Sequence, residues 1–273
     1  MSDTQRRPFA VVTGGSNGIG FELARHFVEN GHDVLIAAED EGHLTQAASR
    51  LTEAAGRLSA GGGAVTIHAA DLSREDGVAG LYAAIRAAGR PVDALCVNAG
   101  TGLGGPFAET DLARELRMID LNVRGAVQLT KLVLRDMVAR DAGKILFTSS
   151  ISAAMPDPYE AVYGATKVFL RWFGEALRDE LRDTGIGVSV LMPGVTETNF
   201  FNRAGMLDTK VGASEGKDDP ALVAKAAFEA MQAGRDKVVP TLKNKVLSAV
   251  TDALPDKVAA QIHRRMAEPG SAG

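Results

Sequence analysis

Short apolar runs alternate along this chain with longer amphipathic stretches, in a strand-then-helix rhythm that lasts from about residue 9 to residue 239. The runs at 9–13, 33–38, 64–68, 92–97, 144–150, 187–192 and 237–239 are rich in Val, Ile and Leu and lack strict polar alternation. Such runs predict strands of a parallel sheet covered on both faces. Between them the apolar positions recur with helical period: 21–30, stopped by Gly31, then an alanine-rich stretch to about Leu58 and a helix from near Arg74. Further helices are predicted over 109–140, from Tyr163 to about Asp183, and over 220–231, where Pro220 sits at a favoured helix start. The rhythm predicts an α/β fold: a single-domain, Rossmann-like, doubly wound, mostly parallel seven-stranded sheet with helices on both faces. Residues 1–240 form the main domain, with an irregular polar loop at about 195–219 that reads as a lid. Residues 59–63 read as a flexible loop inside that domain. Residues 241–273 read as a tail of two amphipathic helices packed on it.

The first strand runs into Gly14-Gly-Ser-Asn-Gly18-Ile-Gly20 and then into a helix. Strand, glycine turn and helix start stand in the order a dinucleotide site needs. Glycines let backbone approach a pyrophosphate, and the helix start offers free N–H groups to it. Glu39 follows the second strand, where a carboxylate either accepts from a ribose hydroxyl or charges the next helix start. Asp71 after the third strand either holds an adenine amine or caps the helix near Arg74. Asn98-Ala99-Gly100 ends the fourth strand with small residues, suited to a passing cofactor or to a tight turn. Asn122 is a lone amide among apolar neighbours, and Gly125 weakens the same helix, which points to close packing or a local kink.

Tyr163 and Lys167 are four apart and share one helix face. A free phenol has a pKa of about 10, and a nearby ammonium lowers it toward the range of a working acid or base. Ser150 lies thirteen residues before Tyr163, enough to leave a strand, turn at Pro156 and Pro158, and return along a helix. By periodicity alone the Tyr and Lys read more readily as an ordinary solvated face.

Composition narrows the partners. A net charge of −4 without a basic block points away from nucleic acid and anionic membranes. The single Cys96 lies in an apolar strand and reads as buried. His43 and His68 have no partners at metal-ligand spacing, so no metal is expected. The first residues lead straight into a strand, no apolar stretch reaches membrane length, and the cytoplasm is expected.

As a whole, residues 9–239 resemble the short-chain dehydrogenase/reductase family. The resemblance rests on Thr13-Gly14-x3-Gly18-x-Gly20, Asp71-Leu72, Asn98-Ala99-Gly100, Pro193-Gly194 and the tetrad Asn122, Ser150, Tyr163 and Lys167. It implies an NAD(P)-dependent oxidoreductase that interconverts a secondary alcohol and a ketone or aldehyde. Tyr163 is then the general acid/base, Ser150 steadies the substrate oxygen, Lys167 lowers the Tyr163 pKa and binds ribose, and Asn122 holds a water through a distorted helix. Cofactor contacts are implied for Gly14, Ser16, Asn17, Gly18, Ile19, Gly20, Glu39, Asp71, Leu72, Asn98, Ala99, Gly100, Tyr163, Lys167, Pro193, Gly194, Thr196 and Thr198. Family members that prefer NADP carry a cation where this chain has Asn17 or Glu39, which favours NAD(H) over NADP(H). Those that prefer NAD carry Asp where it has Ala38. The helix after Tyr163, with Trp172, Phe173 and Leu177, implies a homodimer or homotetramer. Met155, Phe200, Phe201 and Met206 imply a partly apolar small-molecule substrate. Two other readings stay open, a redox sensor that binds NAD(P) without turnover and an epimerase or dehydratase with tightly held NAD. Sensors commonly lose the Tyr or Lys that this chain keeps.

Overall fold

β1 (Phe9–Thr13) is buried at every position and lies inside the sheet. It pairs in parallel with β2 (Asp33–Ala38) on one side and β4 (Ala94–Val97) on the other. β3 (Val65–Ala69), β5 (Gly143–Thr148), β6 (Ile186–Leu191) and β7 (Lys237–Val238) complete the order β3-β2-β1-β4-β5-β6-β7. Every pair is parallel, where a mostly parallel sheet was expected. The strand order reverses between β1 and β4, and a crevice opens beyond the carboxyl ends at that point. The computed structural model describes residues 6–58, 62–246 and 254–272.

Successive strand side chains point to opposite faces, so neighbours in β1 feed different cores. Val12 joins Ile36, Phe27, Leu51 and Phe228 beneath α1 (Gly18–Glu29), α2 (Glu41–Gly56) and α9 (Pro220–Gln232). Val11 joins Leu35, Leu81, Leu95, Leu129 and Phe147 beneath α3 (Glu75–Ala87), α5 (Ala126–Ala139) and α6 (Ala161–Glu180). This double cover explains why the strands read as continuous apolar runs. Cys96 is fully buried, and burial pushes its thiol up.

The helix expected over 109–140 is three pieces. α4 (Leu112–Ile119) starts at Asp111, whose Oδ1 accepts the Arg114 N–H at 2.9 Å. A π-helical turn, Asp120–Gly125, then leads into α5. A Cβ on Gly125 would stand 2.1 Å from the Leu72 carbonyl oxygen. The missing side chain lets the helix press on the backbone beyond β3, and the wider turn beside it carries Asn122 inward.

The lid expected at 195–219 also has structure. α7 (Phe200–Ala204) ends at Gly205, with φ of 72°, and α8 (Lys210–Ala213) begins at Thr209, whose Oγ1 accepts the Gly212 N–H at 3.0 Å. A parallel bridge between Thr196 and Asp218 ties its two ends. In the tail, α10 (Asp256–Ala267) packs on α8, and the backbone after it bonds Asp208. Most of the other expected tail helix (247–253) and most of the 59–63 loop (59–61) lie outside the described residues. Among the described residues no helix is long and apolar enough to cross a membrane.

Candidate functional site

The carboxyl ends of β1, β4 and β5 are tied by side chains. Thr13 Oγ1 accepts the N–H groups of Asn98 and Ala99 at 2.9 and 3.0 Å. Asn98 Nδ2 donates to the Thr13 carbonyl at 3.0 Å, and Thr148 Oγ1 donates to Asn98 Oδ1 at 3.1 Å. The chain leaves β1 through Gly14, at φ of 67°, and enters α1 at Gly18, at φ of 55°. A Cβ on Gly20 would stand 2.1 Å from the Gly14 carbonyl oxygen, so that turn tolerates no larger residue without moving. α1 carries no acidic residue in its first turn, and Asn17 before it makes no side-chain cap. Its free N–H groups and positive dipole end are left for an anion.

Every residue assigned above to the cofactor lines one cavity, from the glycine turn past Glu39 and Asp71 to Asn98-Ala99-Gly100, Pro193-Gly194, Thr196 and Thr198. Thr198 meets the glycine turn: a Cβ on Gly18 would lie 2.9 Å from its Cγ2. One expectation is corrected here. Glu39 does not stand alone, because Arg117 of α4 reaches it across 78 positions, Nη2 donating to Glu39 Oε1 at 2.7 Å and to Asp71 Oδ2 at 3.1 Å. Asp71 also accepts from the N–H and hydroxyl of Ser73, a local turn. A second cation, Arg203, donates to Asn17 Oδ1 at 3.3 Å. Cations that no local motif reveals therefore stand beside both positions that suggested their absence.

At the other end of the cavity, Ser150, Tyr163 and Lys167 come together, each nine-tenths buried. Lys167 Nζ donates to the Thr148 carbonyl at 3.0 Å and lies 5.7 Å from the Tyr163 ring centre. Asn122 is fully buried and does not line the cavity. Its Oδ1 accepts the Thr101 N–H at 2.9 Å, and its Nδ2 donates to the Thr101 carbonyl and to Thr166 Oγ1. It joins the π turn to the strand end and to α6. A Cβ on Gly100 would stand 3.2 Å from both Asn122 Oδ1 and Lys167 Nζ.

The electrostatics differ from the simple expectation for Tyr163. Burial pushes its phenol up, the Glu160 carboxylate adds to this, and the Ser150 hydroxyl works the other way. Lys167 is not what dominates in this arrangement. Its ammonium is held on the Thr148 carbonyl, and burial pushes its pKa down to about 8.

Several lining residues carry no sequence signal of their own. Glu160 stands three positions before Tyr163, and Ile262, His263 and Met266 arrive from α10. His263 Nε2 lies 3.4 Å from Asp157 Oδ1 and 3.5 Å from Glu160 Oε2. Burial pushes the Glu160 carboxyl up to about 7, and burial with the Glu160 charge pushes Asp157 up as well. Phe200 sits against Tyr163 with ring centres 5.2 Å apart, and Met155 and Phe201 also line the cavity. Met206 does not: it is 1% exposed and packs into the space left by Gly104, so it belongs to the core.

Comparison with known proteins places these residues among others. The family described as short chain dehydrogenase matches residues 8–206. An uncharacterised short-chain type dehydrogenase/reductase of Sinorhizobium fredii is 34% identical over 75% of this chain and 76% of its own length. An NADP-dependent 3-hydroxy acid dehydrogenase of Salmonella typhimurium is 33% identical over 70% of this chain and 74% of its own. Among solved structures, a short-chain dehydrogenase from Sphingobium yanoikuyae in complex with NADPH superposes with a TM-score of 0.78 at 26% identity, covering 91% of this chain and 96% of that one.

The buried carboxyls give a testable pH dependence of stability. Both bind a proton more tightly in the folded chain than in the unfolded one, where carboxylates titrate near 4. The stability they contribute is therefore complete below that value and is lost as pH rises through the raised values, about 7 for Glu160. His263, which burial pushes down, titrates below the ordinary histidine value near 6.5 and leaves the range above it clear. Urea midpoints should fall between pH 6.5 and 8 in the wild type, and fall less in the D157N/E160Q double variant. Equal slopes in the two proteins would contradict the assignment.

Proposed function

The chain belongs to the short-chain dehydrogenase family, and from that premise we propose that it interconverts a secondary alcohol and a ketone or aldehyde by hydride transfer with NAD(P). The observation that carries this reading is the meeting of Ser150, Tyr163 and Lys167 in the same cavity as the glycine turn. The residues fit a dinucleotide. The turn is a cradle that a Cβ at Gly18 or Gly20 would fill, and the uncapped start of α1 suits a pyrophosphate. Glu39, Asp71 and Arg117 would hold the adenosine half, while Asn98-Ala99-Gly100, Pro193-Gly194, Thr196 and Thr198 would hold the nicotinamide half. Bound there, the nicotinamide supplies or accepts hydride.

The chain's own groups handle the proton. Tyr163 Oη gives it to the carbonyl oxygen in reduction and takes it back in oxidation, and the Ser150 hydroxyl bonds the same oxygen as charge develops on it. Lys167 binds ribose hydroxyls, and its ammonium favours the phenolate when Tyr163 gives up its proton. Burial keeps the proton on Tyr163, the form that reduction of a carbonyl requires. Asn122 holds α6 through Thr166 Oγ1, the residue before Lys167. Met155, Phe200, Phe201, Ile262 and Met266 make the substrate end largely apolar.

The exposed Leu112, Leu116 and Ile119 of α4, Phe169 and Trp172 of α6 and Phe107 in the turn before α4 include three, Phe107, Ile119 and Phe169, that line an apolar hollow. We assign this face to a second copy of the chain. Replacing Phe169 by Asp should shift the protein to monomer in light scattering, and an unchanged mass would refute the assignment.

Y163F should lower turnover across a panel of alcohols and ketones by about 10²- to 10⁴-fold, with NAD(P)H affinity by fluorescence titration nearly unchanged. A variant that keeps most of its rate removes Tyr163 from the proton step. Wild-type protein that binds cofactor and turns over nothing on the panel would instead support a redox sensor.

Cofactor choice turns on the Glu39–Arg117 pair. Glu39 repels a 2′-phosphate and Arg117 attracts one, so the pair admits either dinucleotide. R117Q should weaken NADPH relative to NADH by about fivefold and E39Q should do the reverse, the scale of a partly exposed charge contact. An unchanged ratio of the two dissociation constants in both variants would exclude the pair from selectivity.

A further inference from the structure

Asp157, Glu160 and His263 have no part in the proton step just described, and local structure does not account for them. An acid at the start of a helix ordinarily caps it. Glu160 occupies that place before α6, yet its side chain makes no cap bond. Both carboxylate oxygens of Asp157 are buried without a hydrogen bond, and the residue is only 6% exposed. The carboxyl of Asp157 packs on Gly164 and Glu160 faces the cavity, one helical turn before Tyr163. His263 comes to them from α10, more than a hundred positions later.

The histidine's geometry implies a shared proton. Its Nδ1 lies 3.3 Å from the Pro158 carbonyl, which only accepts, so Nδ1 carries hydrogen. Its Nε2 then faces two carboxyl groups at 3.4 and 3.5 Å. A lone pair there would face only acceptors unless a carboxyl brought a proton, and a protonated ring would supply one itself. The contact is therefore favourable only when the three groups hold at least one proton between them. The titratable neighbour on α6 is Tyr163, which feels the charges of both carboxyls, with the Ser152 hydroxyl beside Asp157. At the rim, Tyr159 hydrogen-bonds Glu268 at 3.2 Å and Arg264 at 3.0 Å, which fastens the tail to the same loop. Tyr159 holds a positive φ of 70°, a conformation this fastening supports.

We propose that Asp157, Glu160 and His263 form a proton-sharing group that positions the proton of Tyr163, so that docking of the C-terminal helix sets the pH range of the reaction. The proposal rests on the reading of Tyr163 as proton donor. A carboxylate in a buried setting makes a nearby phenol hold its proton more tightly, and a proton that the imidazole holds on that carboxyl weakens the effect. Glu160 and His263 then act through Tyr163 in opposite senses, and neither need touch the substrate.

The experiment follows Tyr163 in two ways. Tyrosinate absorbance is titrated with NAD or NADP bound, whichever binds tighter, and Y163F is subtracted to remove Tyr82 and Tyr159. In parallel, the pH profile of kcat/KM for alcohol oxidation is recorded. E160Q should move both midpoints down by about one pH unit, a tenfold change in proton affinity. H263Q should move both up, and in the D157N/E160Q background H263Q should have no effect. A midpoint that stays in place in either single variant, with rate lost equally at all pH values, makes the group merely structural and overturns the proposal. Cofactor titration of each variant confirms folding. Shifted tyrosinate titrations without turnover on any alcohol would support the group's action while counting against the proposed reaction.

Discussion

The carboxamide of Asn98 joins the carboxyl ends of three strands, donating to the Thr13 carbonyl and accepting from the Thr148 hydroxyl. The site depends on that join. It brings the end of β4 against the Gly14 turn, where Ala99 Cα would lie 3.0 Å from a Cβ on Gly14. It also fixes Thr148, whose carbonyl receives the Lys167 ammonium. The glycine turn that suits a phosphate and the amine that suits a ribose are thus set from one point. Parallel pairing at the sheet's reversal makes this possible, because neighbouring strands there end side by side and their helices diverge to opposite faces.

Burial dominates the chemistry of the reacting end. It pushes the phenol up and the lysine down together, since both lose water on entering the fold. A buried ammonium and a buried phenol face different penalties, and the carboxyls before α6 deepen the second. The protonation state of the site is accordingly a property of the whole wall, with contributions from burial, from Ser150 and from the carboxyls before α6. No single pair sets it.

The tail closes that wall. α10 rests on α8, and Ile262, His263 and Met266 supply one side of the cavity. The segment 195–219 supplies the facing side, through Phe200 and Phe201. Short helices there, capped by Thr209 and stopped by Gly205, make it a formed surface against which the tail packs.

The sheet, its helices and the glycine turn were legible in the sequence, because strands covered on both faces stay apolar throughout and a sharp turn into a helix needs glycine at spaced positions. The weakness at Gly125 announced a break in the long helix, and Asn122 sits in the π turn beside it. Arg117, Arg203 and His263 were not legible. Each is an ordinary charged or polar residue on an amphipathic helix, and nothing within its own stretch marks it. Met206 misled for the same reason, since an apolar side chain in a loop reads alike whether it faces a ligand or the space over Gly104. Local patterning records which face of an element is buried. Which distant charge comes to rest beside Glu39, or which imidazole meets Glu160, is decided only when helices far apart in the chain pack over the same strand ends.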